Sequence, residues 1–145
     1  MTAVSGGAAQ DLLRDLQSPG DVESLCEGAA LLPGFATSNA AALMEEVRQV
    51  AIAARFRSMT TRGGYNMSVA TTSCGEAGWV SDEEGYRYAR RDPESGQPWP
   101  AMPEIFLQLA GSAAARAGFA DFVPDACLIN RYVSGARMSL HQDRN

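Results

Sequence analysis

Histidine is almost missing from this chain. His141 is the only one in 145 residues, which excludes any metal or catalytic centre built from two or more histidines of the chain itself. Lysine is missing altogether, so all 12 basic residues are arginine; Arg suits bidentate phosphate contacts better than Lys does. Cysteine is scarce. Cys26, Cys74 and Cys127 are odd in number, far apart and without CxxC spacing, which excludes a disulfide framework or zinc site and reads as ordinary thiols of a reducing compartment. No apolar run approaches the roughly 18 residues of a membrane span, and the opening MTAVSGGAAQDLLRDLQ has neither a basic n-region nor an apolar core of a signal peptide. The expectation is a cytoplasmic protein with no membrane partner. Internal repeats, a P-loop and a GxGxxG are also missing.

What remains is the composition of a soluble globular protein, 46% hydrophobic and 20% charged, long enough for one domain with a core and too short for two. The net charge of −5 argues against a generic nucleic-acid coat. Its acidity sits in front: residues 1–46 hold seven acidic side chains against Arg14, a balance of −6, and residues 47–145 hold ten against eleven arginines, a balance of +1.

Residues 1–28 are small, polar and acidic, with one short possible helix at 11–17, and read as a poorly ordered leader. Residues 29–35, AALLPGF, predict a short strand broken by Pro33-Gly34. Ser38 or Asn39 can cap a helix over 40–54, in which Leu43, Val47, Val50 and Ala54 fall at helical spacing. Arg62-Gly63-Gly64 signals a hairpin turn, followed by a strand at 65–72. Residues 73–103 are rich in Gly, Pro and aromatics, with Trp79, Tyr86, Tyr88 and Trp99 among them; a stretch this long reads either as a binding lid or as aromatics sealing the core. Pro103 opens a helix carrying Ile105, Phe106, Leu109, Ala110 and Ala113 and stopping at Gly118. A buried strand at 126–133, a turn at Ser134-Gly135 and a strand at 138–143 follow. The methionines and Cys127 read as core filler, and Arg87, Arg90 and Arg91, next to Glu83, Glu84 and Asp92, read either as a phosphate track or as a solvated charge cluster.

His141 and Asp143 are two residues apart, and in an extended strand such positions share a face. They supply two of the three ligands of a 2-His-1-carboxylate iron site, which leaves open positions for a cosubstrate and oxygen. A bare His-x-Asp is a weak signal.

Longer blocks make it specific. TRGGYNMSVA (61–70), CGEAGW (74–79), GY (85–86), PWPAMP (98–103), PDACLINRY (124–132) and SLHQD (139–143) occur in this order, and through them the chain from about Leu31 onward resembles the AlkB family of Fe(II)- and 2-oxoglutarate-dependent dioxygenases. The resemblance implies an α+β fold with a double-stranded β-helix (jelly-roll) core, N-terminal helices and a nucleotide-recognition lid at about 60–103. It makes 29–145 the N-terminal portion of such a domain, truncated before the core closes. His141 and Asp143 match the metal ligands, and no further catalytic residue is implied. Asn130 and Tyr132 match side chains that hold 2-oxoglutarate. Thr61 and Tyr86 match residues that hold substrate phosphates, and Trp79 matches one that stacks on the damaged base.

The implied cofactors are Fe(II), 2-oxoglutarate and O2. The implied reaction is oxidative dealkylation of bases such as N1-methyladenine and N3-methylcytosine in single-stranded DNA, with RNA as an alternative, releasing formaldehyde, succinate and CO2. A monomer is expected at full length. Two positions depart from the pattern: Asn145 stands where the family has a carboxylate near the base, and Thr71 where a larger apolar residue is usual. The distal histidine and two arginines of the family match nothing here, so the chain alone is expected to be inactive. Two other readings remain: a non-catalytic nucleic-acid-binding module, and a 2-oxoglutarate-dependent hydroxylase acting on protein.

Overall fold

The computed structural model describes residues 20–139 and 141. The chain divides into two compact units, one of residues 1–44 and 105–123, the other of residues 45–104 and 124–145.

In the first unit, β1 (Glu23–Cys26) and β2 (Ala29–Leu31) form an antiparallel hairpin, irregular between Ser24 and Cys26, with Gly28 at φ 78° in the turn. The boundary expected at residue 28 therefore falls inside a hairpin, and part of the supposed leader is a strand. Its backbone groups find their partners in the AAL segment, which composition alone could not signal. The possible helix at 11–17 lies outside the described residues. Ser38 and Asn39 belong to a 3-10 turn, Thr37–Asn39, that feeds directly into α1 (Ala40–Ala53), with the Ala40 N–H bonded to the Thr37 carbonyl; from Glu45 on, α1 belongs to the second unit. At the end of α2 (Glu104–Arg116), the Phe119 N–H reaches the Ala114 carbonyl at 2.8 Å and the Gly118 N–H reaches Ala115 at 3.1 Å. This is a Schellman ending, and it requires the left-handed φ of 95° that Gly118 adopts.

The second unit is built on β4 (Asn66–Gly75), the central strand of an antiparallel sheet in the order β3 (Arg57–Thr60), β4, β7 (Ala126–Arg131). β4 runs three residues past the predicted end because Ser73, Cys74 and Gly75 pair with Leu128, Cys127 and Ala126. It is buried from Thr71 to Cys74, and the Thr72 hydroxyl is satisfied by the Ala54 carbonyl at 2.7 Å. The β3–β4 turn is the one the sequence signals: Thr61 N–H bonds Tyr65 O at 2.9 Å, Gly64 N–H bonds Thr61 O at 2.8 Å, and Gly64 takes φ 78°.

The stretch 73–103 is not a loop throughout. It contains a second hairpin, β5 (Gly78–Asp82) with β6 (Gly85–Ala89), in continuous register from Gly78↔Ala89 to Asp82↔Gly85. Behind the hairpin lies a small core of Ala54, Met59, Val80 and Trp99. The Trp99 indole N–H donates to Ala89 O at 2.8 Å, and the Arg57 guanidinium lies 5.6 Å from the Trp99 ring centre. Arg57 also pairs with buried Asp92.

β7 ends at Arg131, two residues short of the prediction, and Met138 and Ser139 are not in a strand; the rest of the strand expected at 138–143, apart from His141, lies outside the described residues. The Ser134-Gly135 turn is present. Met44, expected in the core, is exposed. No helix among the described residues is long and apolar enough to cross a membrane.

Candidate functional site

One face of β4 and one hairpin make a cavity. In a strand, alternate residues share a face, so Met67, Val69 and Thr71 form a floor that continues onto Asn130 and Leu128 of β7 through the pairs Thr71↔Asn130 and Ser73↔Leu128. Trp79 of β5 and Tyr86 and Tyr88 of β6 supply an aromatic wall; Thr61, Ser68, Arg137, Met138, Ser139 and His141 complete the lining. The volume is about 590 Å³, within the usual range for small-ligand sites of roughly 300–1,000 Å³.

Five of the eight predicted site residues, Thr61, Trp79, Tyr86, Asn130 and His141, line this single cavity. Tyr132 does not. It follows the end of β7, and its hydroxyl lies 4.0 Å from the sulfur of Met138, which does line it. Asp143 and Asn145 lie outside the described residues.

Trp79 and Tyr86 stack on each other, with ring centres 5.6 Å apart and planes 17° from parallel. Their position is fixed from behind. The Trp79 N–H bonds the Ser73 hydroxyl at 3.3 Å, and the Ser81 hydroxyl donates to Thr60 O at 2.7 Å, tying β5 to β3. At the hairpin tip, Arg87 holds Asp82 through two contacts of 2.7 Å. The Arg87 hydrogen bonds keep the Asp82 carboxyl below its usual value, so Arg87 belongs to a local ion pair. The Thr61 hydroxyl accepts from Tyr65 N–H at 3.2 Å. It can still donate outward, since a hydroxyl does both.

Sequence reasoning passed over Ser68. Its hydroxyl donates to Arg137 O at 2.9 Å and accepts from Arg137 N–H at 3.2 Å, clamping the segment before His141 onto β4. Tyr88 was also missed as a lining residue, although its place two residues after Tyr86 on β6 is the alternation that would have found it. Thr71 has the one hydroxyl among the described residues that is buried with no hydrogen-bond partner. The His141 Nδ1 lies 2.8 Å from the Ser139 carbonyl. A carbonyl only accepts, so Nδ1 carries the proton and the lone pair of the neutral ring is on Nε2, the tautomer that second-shell bonds impose on metal-binding histidines.

The family model of the 2OG-Fe(II) oxygenase superfamily matches residues 28–145. The chain belongs to that superfamily. Within it, the chain is 50% identical over 123 residues to the alpha-ketoglutarate-dependent dioxygenase AlkB of Escherichia coli, covering 85% of this chain and 57% of that protein. It is 51% identical over 123 residues, with the same coverage, to AlkB of Salmonella typhimurium. An AlkB homolog of Caulobacter vibrioides is 43% identical over 133 residues, 91% of this chain and 59% of that relative. The chain thus spans somewhat under three fifths of the length of these relatives.

For a 2OG-Fe(II) oxygenase the implied groups are Fe(II), 2-oxoglutarate and O2. The donor chemistry present fits them: an imidazole whose Nδ1 is engaged and an amide, Asn130, line the same cavity. Among the described residues no group of three His, Cys, Asp or Glu side chains could hold a metal ion. The predicted partner of His141 is Asp143, outside those residues.

Proposed function

We propose that the full-length protein is an oxidative dealkylase acting on N-alkylated bases, such as N1-methyladenine and N3-methylcytosine, in single-stranded DNA. In this reading the present chain supplies the substrate face, two iron ligands and part of the 2-oxoglutarate site. The observation that carries it is the common cavity: an imidazole whose Nδ1 is engaged by a carbonyl, an amide, and a stacked aromatic pair all line one space.

Each residue has a definite task. A flipped or single-stranded base needs a flat apolar surface, and the Trp79 indole offers one, worth about 1–3 kcal/mol per stacked base. Thr61 and Tyr86 donate hydroxyl hydrogens to the strand's phosphates, contacts that position the strand without reading sequence. Asn130 and Tyr132 bind 2-oxoglutarate, and Asn145 faces the exocyclic group of the base. His141 and Asp143 hold iron, which together with 2-oxoglutarate and O2 supplies the oxidising power to hydroxylate the N-alkyl carbon. The hydroxylated group then leaves as formaldehyde. The chain's own residues bind, orient and keep water out. Closure of a jelly-roll core around this face, a monomeric state and inactivity of the 145-residue chain by itself belong to the same proposal.

The test is formaldehyde release by the full-length protein from a methylated single-stranded oligonucleotide with Fe(II) and 2-oxoglutarate. Release that disappears in His141→Ala is the expected result. Oligonucleotide binding without release would instead favour a non-catalytic module, and turnover of 2-oxoglutarate only with a peptide substrate would favour a protein hydroxylase.

A further inference from the structure

The opposite face of the same two strands carries a pair of thiols that the proposed chemistry does not use. Cys74 of β4 and Cys127 of β7 are directly opposed in the ladder. Directly opposed residues of an antiparallel ladder have Cα atoms about 4.5–5.5 Å apart, inside the roughly 4.4–6.8 Å that disulfide-linked cysteines span. Opposed side chains lie on one side of a sheet, so the two thiols share the face turned away from the cavity. Their burial differs: Cys74 is fully buried, whereas Cys127 is half-buried on a strand paired on one side only among the described residues.

We propose that Cys74 and Cys127 are a reversible oxidation site for hydroperoxides, with Cys127 as the attacking sulfur and Cys74 as the resolving one. The Cys127 thiolate attacks one oxygen of hydrogen peroxide, and the O–O bond breaks. A sulfenic acid forms, and the departing hydroxide takes the proton that Cys127 released, giving water. The Cys74 sulfur then attacks the Cys127 sulfur. The S–O bond breaks, and the leaving hydroxide takes the Cys74 proton as a second water. Two thiols lose two electrons in all, one peroxide gains them, and a cross-strand disulfide remains.

The difference in burial assigns the roles: Cys127, half-buried on β7, is the sulfur a peroxide reaches, and Cys74, fully buried on the central strand, is not. The direction of the thiol shifts agrees, with the neighbouring Cys74 drawing Cys127 below its ordinary value and the neighbouring Cys127 together with burial pushing Cys74 up. The thiolate is the nucleophile in peroxide chemistry, so Cys127 reacts first. Cys26, exposed on β1, is an internal comparison.

The experiment treats the full-length, iron-free protein with limiting hydrogen peroxide, blocks remaining thiols with N-ethylmaleimide and maps peptides by mass without reduction. The expected result is a linked Cys74–Cys127 peptide that forms before Cys26 is modified and disappears with dithiothreitol. In Cys74→Ser, Cys127 should persist as a sulfenic acid that dimedone captures; in Cys127→Ser, Cys74 should stay unreactive. Alkylation of both Cys74 and Cys127 as thiols while Cys26 is oxidised would overturn the proposal, as would a Cys127 sulfenic acid that survives beside an intact Cys74. The wild-type map decides by itself where a variant does not fold.

Discussion

Trp79 and Tyr86 already satisfy each other's faces, so a base that enters between or beside them exchanges one stack for another. Replacing Trp79 by alanine in the full-length protein is expected to weaken binding of a methylated oligonucleotide about 5- to 150-fold, the equivalent of about 1–3 kcal/mol of stacking, while phosphate-driven binding of an unmethylated strand changes little. Fluorescence anisotropy on the two strands separates these outcomes, and an unchanged affinity for the methylated strand would remove Trp79 from base recognition. Thr71 lends itself to a stability measurement. Its buried hydroxyl has no partner, and such a group costs about 1–3 kcal/mol. Thr71→Val keeps the shape and removes the hydroxyl, so urea unfolding should show a gain of about 1 kcal/mol. A clear loss would mean that the hydroxyl is bonded after all. The identities of both residues were legible in the sequence, and their relation to the cavity was not: Thr71 reaches it only because β4 lies between β3 and β7 with its odd-numbered face inward.

At the scale of elements, the β5–β6 hairpin depends on a close approach. A Cβ built on Gly78 falls on the buried Trp99 indole, whose ring is fixed by the bond to Ala89. Gly78→Ala must therefore push either the strand or the indole aside, and overpacking of this kind costs about 1–3 kcal/mol. Because the hairpin also carries Trp79 and Tyr86, the variant is expected to lose oligonucleotide affinity as well as stability, and thermal unfolding together with a binding titration reads both.

The loop behind the hairpin gives a pH signature. Burial would raise the Asp92 carboxyl, but the Arg57 hydrogen bond, joined by the Glu94 N–H and the Ser95 hydroxyl, outweighs burial and holds it below its usual value. A carboxylate whose folded value is depressed stabilises the fold above its unfolded value, about 3.9, and that contribution is lost as pH falls through the lower folded value. Asp92→Asn should cost on the order of 3 kcal/mol at neutral pH, by analogy with breaking a buried pair, and the gap from wild type should close in acid. A gap independent of pH would mean that packing, not charge, holds the loop. The hairpin itself escaped sequence reading because its turn, Glu83-Glu84, lacks the Asn-Gly or Asp-Gly chemistry that announces a two-residue connection. Its strands were hidden in an aromatic-rich stretch that reads equally well as a loop.

Across the whole molecule, one described imidazole, His141, lines the cavity proposed to hold iron. In the full-length protein, His141→Ala is expected to weaken ferrous binding by at least about tenfold, measured anaerobically by the absorbance of the iron–2-oxoglutarate complex. The scale is that of losing a ligand, set against the 10- to 100-fold cost of disturbing even an outer-shell partner. Unchanged affinity would detach His141 from the metal.

The sequence by itself determined the superfamily, the order of the blocks, the helix of residues 40–53, the Gly118 stop and the β3–β4 turn, because these rest on local chemistry: helical spacing of apolar residues, a left-handed glycine, a glycine pair in a turn. Only the tertiary structure decided that residues as far apart as Thr61, Trp79, Asn130 and His141 line one cavity and that Cys74 meets Cys127 behind it. The reason is that strand register joins residues more than fifty positions apart. A pairing shifted by one residue would turn the cavity face toward the thiols and the thiols toward the cavity.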